Sequence, residues 1–273
     1  MTHPRKIATA VVAAAVLAAP SAASAHSKPS VGSVREHVRS ADQALTMVAK
    51  RVQHNNDAAA AVAAVRNLRQ TKAAAREAAR VTGRSKRAKA WRLVAAQRDD
   101  NVKTLIAVVD DVGGAAQVDM TTALVSNLTG RELAVAKLTA LAATLPDAAQ
   151  AGIATAIAAI SGQSAGDVAG IAQAMNSGQI SAAAKPHLEQ ALGIASGAMF
   201  TGVAQLQQIV GMLPPQAQGP VNAAIAKVTG ILQAIFGTGA GTGGLLGNLP
   251  IPENLPIPCG LPIPSFVPIS KPC

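Results

Sequence analysis

The chain has almost no aromatic side chains: its 273 residues include no tyrosine, one tryptophan and three phenylalanines. Proteins that bind single-stranded nucleic acid stack the bases on aromatic rings, so this scarcity argues against that mode of binding. Alanine, the best helix former, is abundant instead, while strand-forming residues are few. The composition therefore predicts an all-α fold, in which small core side chains require the helices to approach closely.

Cysteine is scarce as well, since Cys259 and Cys273 are the only two. Two cysteines cannot form a dense disulfide framework, and their spacing matches no redox or metal motif. In an oxidising compartment the pair predicts a disulfide closing a loop of about fifteen residues, worth about 3 kcal/mol in the chain-entropy model. An intermolecular disulfide is the open alternative.

The motifs of common catalytic sites are missing. The sequence contains no Gly-x-Ser-x-Gly elbow, no His-Glu-x-x-His pair and no glycine-rich loop ending in Lys-Ser or Lys-Thr. We therefore predict a protein that is not an enzyme, with no catalytic residue, no cofactor and no metal site.

Two carboxylate pairs share one predicted helix, eleven residues apart and so on nearly the same face. Such a set could serve acid–base chemistry or bind a cation, but it is also typical of a solvated helix face or of local pairing with Arg98 and Lys103. The solvated or locally paired face is the favoured interpretation, and the residues concerned are Asp99, Asp100, Asp110 and Asp111.

The N-terminus has the pattern of a secretory signal peptide, predicted over residues 1–25. Arg5 and Lys6 precede an uncharged apolar run, and Ala23-Ser24-Ala25 is a small-x-small cleavage site. The run is short for a permanent span of a bilayer about 30 Å thick. We expect cleavage after Ala25 and a protein that is secreted or associated with the cell envelope.

Acidic residues are outnumbered, and the imbalance is local. Without the predicted signal peptide the chain carries a net charge of +8. Residues 50–103 hold fourteen Lys and Arg against four acids, whereas residues 104–273 have a net charge of −3. Asymmetry of this kind is typical of a surface that binds polyanions.

The basic segment belongs to a predicted N-terminal bundle, residues 26–112. Apolar residues from Val34 to Val52 recur at steps of three and four, which indicates a helix with Ser33 as its N-cap. A second helix is expected over about 58–81, capped by Asp57, and a third from Ser85 to the Gly113-Gly114 pair. Short connections favour an antiparallel three-helix bundle.

An internal repeat occupies the Ala-rich region that follows, residues 113–236. Residues 135–162 and 203–230 share Leu-Pro, Ala-Gln and Ala-Ile-Ala at the same positions, with a weaker echo at Pro186 and Gln190. Each copy predicts a helical hairpin in which one helix ends before the proline and the next begins with it. Two duplicated hairpins are expected to pack on each other.

The C-terminal part is not helical by its composition. Residues 237–248 are a Gly-rich linker, and residues 249–273 contain three Leu-Pro-Ile-Pro units. Proline at alternate positions excludes helix and favours extended polyproline II, which predicts a Pro-rich tail carrying both cysteines.

Cationic residues spaced by three or four lie along one helical arc wherever the helix continues, and further Lys and Arg follow them. The predicted binding set is Arg66, Arg69, Lys72, Arg76, Arg80, Arg84, Lys86, Arg87, Lys89 and Arg92. Clustered cations attract polyanions by counterion release. The sequence thus predicts a helical envelope protein that binds anionic envelope polymers or lipid head groups. The alternatives are a scaffold that self-associates through the tail cysteines and a helical protein that interacts with membranes.

Overall fold

The computed structural model describes residues 28–236, which fold into seven α-helices with no strand in that range. The all-α prediction is therefore confirmed. The predicted signal peptide, Gly-rich linker, Pro-rich tail and both cysteines lie outside the described residues. The helices are α1 (Val31–Gln53), α2 (Asp57–Arg80), α3 (Arg84–Val108), α4 (Gly114–Ala142), α5 (Asp147–Asn176), α6 (Lys185–Val210) and α7 (Pro215–Phe236).

The first helix ends are set by short polar signals close to the predicted positions. Ser30 caps α1, and Ser33, expected to be the cap, instead completes the capping box from the third helical position. Asn56 rather than Asp57 caps α2 by accepting a hydrogen bond from the Ala59 N–H. Gly83, at φ +82°, precedes α3 without a side-chain cap.

The helices form three stacked hairpins. The α1–α2 hairpin packs on the α3–α4 hairpin, which packs on the α5–α6 hairpin, and α7 lies against α5 and α6. Contacts between hairpins run mainly from α1 to α3, from α3 to α5, from α2 to α4 and from α4 to α6, so the stack has two columns. The columns also contact each other between hairpins, from α2 to α3 and from α4 to α5. The α3–α4 hairpin is therefore covered on two sides, and its helices bury residues around most of their circumference.

Two apolar clusters fill the stack, and each takes residues from one end of every helix. One contains Val48, Val102, Leu128 and Leu188, and the other contains Trp91, Leu138, Ile157 and Leu206. Both take residues from either side of position 112. The predicted boundary between the N-terminal bundle and the Ala-rich region is thus a connection between α3 and α4, and the two regions share their core.

Eleven of the buried polar residues lie midway along α2, α3, α4 and α5, where one apolar cluster ends and the other begins. We call this set the polar layer; it comprises Asn67, Thr71, Gln97, Arg98, Asp99, Asn101, Asn127, Arg131, Ser161, Ser164 and Asp167. Asn101 is at its centre, accepting from Asn67 Nδ2 at 2.9 Å and donating to Asn127 Oδ1 at 2.9 Å. Buried amides are costly unless they are hydrogen-bonded, so these bonds restrict how α2, α3 and α4 can align.

The two copies of the repeated sequence contain the connections from α4 to α5 and from α6 to α7. In each, a glutamine side chain donates to the carbonyl of the leucine five residues earlier: Gln150 to Leu145 and Gln218 to Leu213, both at 2.8 Å. Both leucines are buried. The recurring Leu-Pro and Ala-Gln positions thus form the same local contact in both connections. Pro146 is the N-cap of α5 rather than a residue of its first turn.

Glycine allows one close approach between α5 and α6. A Cβ atom built on Gly202 would overlap Ser161 Oγ and lie 2.8 Å from Ser161 Cβ. A Cβ atom on Gly197 of the same helix would have no neighbour within 4 Å. The two positions therefore separate the effect of helix propensity from that of helix packing.

We expect Gly202→Ala to destabilise the protein by about 1–3 kcal/mol, the usual cost of overpacking. Gly197→Ala should stabilise it by about 0.5–1 kcal/mol, because alanine has the better helix propensity. Urea unfolding of both variants measures the difference. Equal effects at the two positions would contradict the close approach of α5 and α6.

Candidate anion-binding surface and buried charge cluster

Five cations lie along one side of α2 and define what we call the α2 cationic face: Arg66, Arg69, Lys72, Arg76 and Arg80. All five side chains are exposed. At 3.6 residues per turn they occupy about one third of the helix circumference. The buried residues of α2, among them Asn67, Thr71 and Ala74, lie on the opposite side. The part of the predicted arc that lies on α2, from Arg66 to Arg80, therefore faces outward.

The remaining five predicted cations are on a different helix, because α2 ends at Arg80 and α3 begins at Arg84. Of these five, Arg87 is half-buried and donates from Nε to the Val81 carbonyl at 2.9 Å. The others, which are Arg84, Lys86, Lys89 and Arg92, are exposed. The prediction of a single arc assumed that the helix continues beyond Arg80; because it ends there, the ten residues come from two helices, which contact each other.

The acids nearest to these cations along the chain have other partners. Glu77 Oε1 accepts a hydrogen bond from Ser33 Oγ at 2.7 Å, which holds it towards α1. Asp57 Oδ2 accepts from the Gly113 N–H at 3.1 Å. Within residues 28–236, none of the ten predicted cations forms an ion pair. The positive potential of the α2 cationic face is therefore not cancelled by direct pairing.

A second set of charges is buried in the polar layer, and we call it the Arg131 cluster. Arg131, on α4, has a fully buried side chain whose Nη1 lies 2.8 Å from Asp99 Oδ1 and 2.6 Å from Asp167 Oδ2. Its Nη2 donates to Ser164 Oγ at 3.0 Å. One guanidinium thus connects α3, α4 and α5.

Glu132 and Lys103 lie at the edge of this cluster. Lys103 Nζ is 2.8 Å from Asp99 Oδ2, and Glu132 Oε1 is 3.6 Å from Arg131 Nε. Burial raises the pKa of Glu132, and the attraction of Arg131 opposes that rise only in part. The group contains three acids, Asp99, Asp167 and Glu132, and two cations, Arg131 and Lys103. Its net charge is negative when Glu132 is ionised and zero when Glu132 is protonated.

Arg98 is also buried, but it has no carboxylate partner. Its Nη1 donates to the Ser126 carbonyl at 3.0 Å, and burial lowers the pKa of its guanidinium to about 10. It packs where Gly130 of α4 has no side chain, since a Cβ atom there would overlap the guanidinium. Arg98 therefore helps to join α3 to α4.

The two sets of charges differ in what they can do chemically. The Arg131 cluster is closed to solvent at its centre, so its geometry is suited to holding helices together and not to receiving a ligand. Within the described range, no group of three His, Cys, Asp or Glu side chains could hold a metal ion. No helix of that range combines the length and hydropathy needed to cross a membrane. The exposed α2 cationic face is the better candidate for binding.

The local pairing expected for the carboxylates is only partly what is observed. Asp99 and Asp100 both lie within 4.0 Å of Lys103, as expected. Arg98 instead bonds to a backbone carbonyl, and Asp99 also pairs with Arg131, which sequence reasoning missed. The available signal was Asp167, the only charged residue of α5 after Asp147.

Comparison with other proteins gives no guide to function: the chain matches no protein-family model, no curated protein and no solved structure.

We expect Arg131→Met to destabilise the protein by about 3–5 kcal/mol, because it leaves Asp99 and Asp167 buried without their shared cation. Adding Asp99→Asn and Asp167→Asn should recover part of that loss, since the uncompensated charges are then gone. Arg69→Met, on the α2 cationic face, is the matched surface control and should change stability by less than about 0.5 kcal/mol. Chemical denaturation gives all three values, and an unchanged stability of Arg131→Met would refute the role of the cluster.

The raised pKa of Glu132 predicts a pH dependence. The folded protein retains a proton on Glu132 at pH values where the unfolded chain, with its ordinary pKa of 4.5, has released it. The contribution of Glu132 to the free energy of unfolding therefore rises as the pH falls from neutrality towards 4.5, and it is lost as the pH rises through the folded-state pKa. Glu132→Gln removes this contribution, so its stability relative to the unmodified chain should increase between pH 5 and pH 7.5.

Unfolding titrations at the two pH values measure that change. Glu36→Gln, at an exposed position of α1, is the surface control. A relative stability of Glu132→Gln that is constant or decreases over this range would contradict the raised pKa.

Proposed function

We propose that this chain is an exported protein without enzymatic activity, retained on anionic surfaces of the cell envelope through the α2 cationic face. The observation that carries the proposal is the exposure of five cations on one side of α2, none of them in an ion pair within residues 28–236. The signal-peptide pattern of residues 1–25 supports the export step.

The arrangement favours an extended polyanion over a small anion. Arg66 and Arg80 are fourteen positions apart, which corresponds to about 20 Å along a helix. The five cations are spread along this length instead of converging on one point. Such a row matches regularly spaced phosphates, and it would bind them chiefly by releasing counterions, with little dependence on ligand sequence. Phosphate-rich envelope polymers and lipid head groups both present charges in this way.

The rigid support of α2 favours binding by the folded protein. Asn67 Nδ2 donates to the Ala41 carbonyl at 2.9 Å, and His37 Nδ1 lies 3.1 Å from Gln70 Oε1. These bonds and the Ser33–Glu77 contact hold α2 to α1, with Asn67 turned away from the cations and Gln70 and Glu77 at the edge of the α2 cationic face. The cations are therefore displayed on a fixed backbone and lose mainly side-chain freedom when they bind.

Neutralising three cations of the α2 cationic face tests the proposal. For Arg69→Gln, Lys72→Gln and Arg76→Gln combined, binding to inorganic polyphosphate should weaken, and the slope of log K against log salt should decrease by about 2. The matched control is Lys86→Gln, Lys89→Gln and Arg92→Gln, which removes the same charge from α3.

Binding measured by titration over a range of salt concentrations separates the outcomes. We expect the α2 variant to lose more affinity than the α3 variant. An equal loss would show that net charge alone determines binding, and binding that does not depend on salt would refute the electrostatic mechanism.

A further inference from the structure

A groove on the outer surface of the α1–α2 hairpin lies next to the α2 cationic face. It has a volume of about 600 Å³, and its lining comes entirely from residues 40–66. Ala44, Met47, Val62 and Ala63 form its apolar part. The size is within the range of about 300–1,000 Å³ typical of sites for small molecules.

Large apolar side chains are exposed in this groove instead of being packed. Val62 is 70% exposed and Met47 is 39% exposed. They account for two of the four large apolar residues that are exposed in the described part of the chain. Neither is needed to fill the core, because the residues facing inward on the same helices, such as Val48 and Ala64, are already buried.

Cations stand at both ends of this apolar surface. Arg51, in the last turn of α1, lines one end of the groove together with Asn56, and Arg66 lines the other end. No Asp or Glu lines the groove. Arg66 also belongs to the α2 cationic face, so the apolar and cationic surfaces are continuous.

We propose that the α1–α2 groove receives the acyl region of an anionic phospholipid while Arg51, Arg66 and the α2 cationic face contact the phosphates. This inference rests on the proposed function and names a lipid surface as the partner. An apolar patch bordered by cations is the arrangement by which a helix lies in a membrane interface, where apolar burial and attraction to anionic lipids act together. A soluble polyanion would satisfy the arginines and leave Met47 and Val62 in water.

Fluorescence provides a direct test, because Trp91 is the only native tryptophan and is buried. Val62→Trp places a second tryptophan on the groove. Vesicles of phosphatidylglycerol whose acyl chains carry bromine quench tryptophan only on close contact with those chains. We expect them to quench the added emission of Val62→Trp, while vesicles of brominated phosphatidylcholine, which carry no net charge, leave it unchanged.

A charge introduced into the groove tests the same contact by affinity. Val62→Asp should weaken binding to phosphatidylglycerol vesicles by about tenfold, because it removes the apolar side chain that the acyl chains cover in the bound state. Since adding a negative charge also weakens attraction to any anion, Val62→Ser is measured beside it and should lose most of the same affinity. Val62 is exposed, and the thermal unfolding of each variant confirms its fold.

Polyphosphate binding distinguishes failure of this inference from failure of the proposed function. Vesicle binding without bromine quenching, with Val62→Ser as tight as the unmodified chain, would overturn the inference and leave the α2 cationic face as an electrostatic site. Equal quenching by phosphatidylcholine vesicles would also overturn it, because the cations would then be unnecessary. Failure to bind either polyphosphate or phosphatidylglycerol vesicles would overturn both proposals.

Discussion

The shared pairing of Arg131 with Asp99 and Asp167 is the constraint on which the arrangement of helices depends. A fully buried guanidinium is costly unless carboxylates match its charge. Here the partners come from α3 and α5, which lie on either side of α4 in the chain. Apolar alanine-rich surfaces can slide past one another at small cost, whereas this contact is satisfied in one alignment. The polar layer therefore supplies the specificity that a core of small side chains lacks.

The same division explains why the first hairpin can display the cations of the proposed binding surface. The α3–α4 hairpin is covered on both sides and uses its charged residues internally, at Arg98, Asp99 and Arg131. The α1–α2 hairpin is covered on one side only, so the outer half of α2 is free to carry cations. The basic segment of the sequence is thus divided between this outer hairpin, which carries the proposed ligand surface, and the exposed residues at the start of α3.

Sequence reasoning succeeded where the signals were local. The Gly113-Gly114 pair, the Asn-Asn-Asp segment before α2 and the two Leu-Pro turns each act within a few residues, and they marked the helix ends to within a few positions. The polar layer was not predicted, because its partners are more than 25 residues apart and α3 shows no clear apolar stripe when it is buried on several sides. The division of the cations between α2 and α3, by contrast, follows from the local helix boundary at Gly83, in agreement with the helices predicted over about 58–81 and from Ser85.

Hydrogen exchange of arginine side chains, followed by NMR at neutral pH, tests the account most directly, because it reports both sets of charges in one sample. The structure predicts that the guanidinium protons of Arg131 exchange slowly, being buried and bonded to carboxylates, while those of the four arginines on α2 exchange as fast as in a free peptide. Rapid exchange at Arg131 would contradict the buried cluster. Protection of the α2 arginines without a ligand would contradict the free cationic surface.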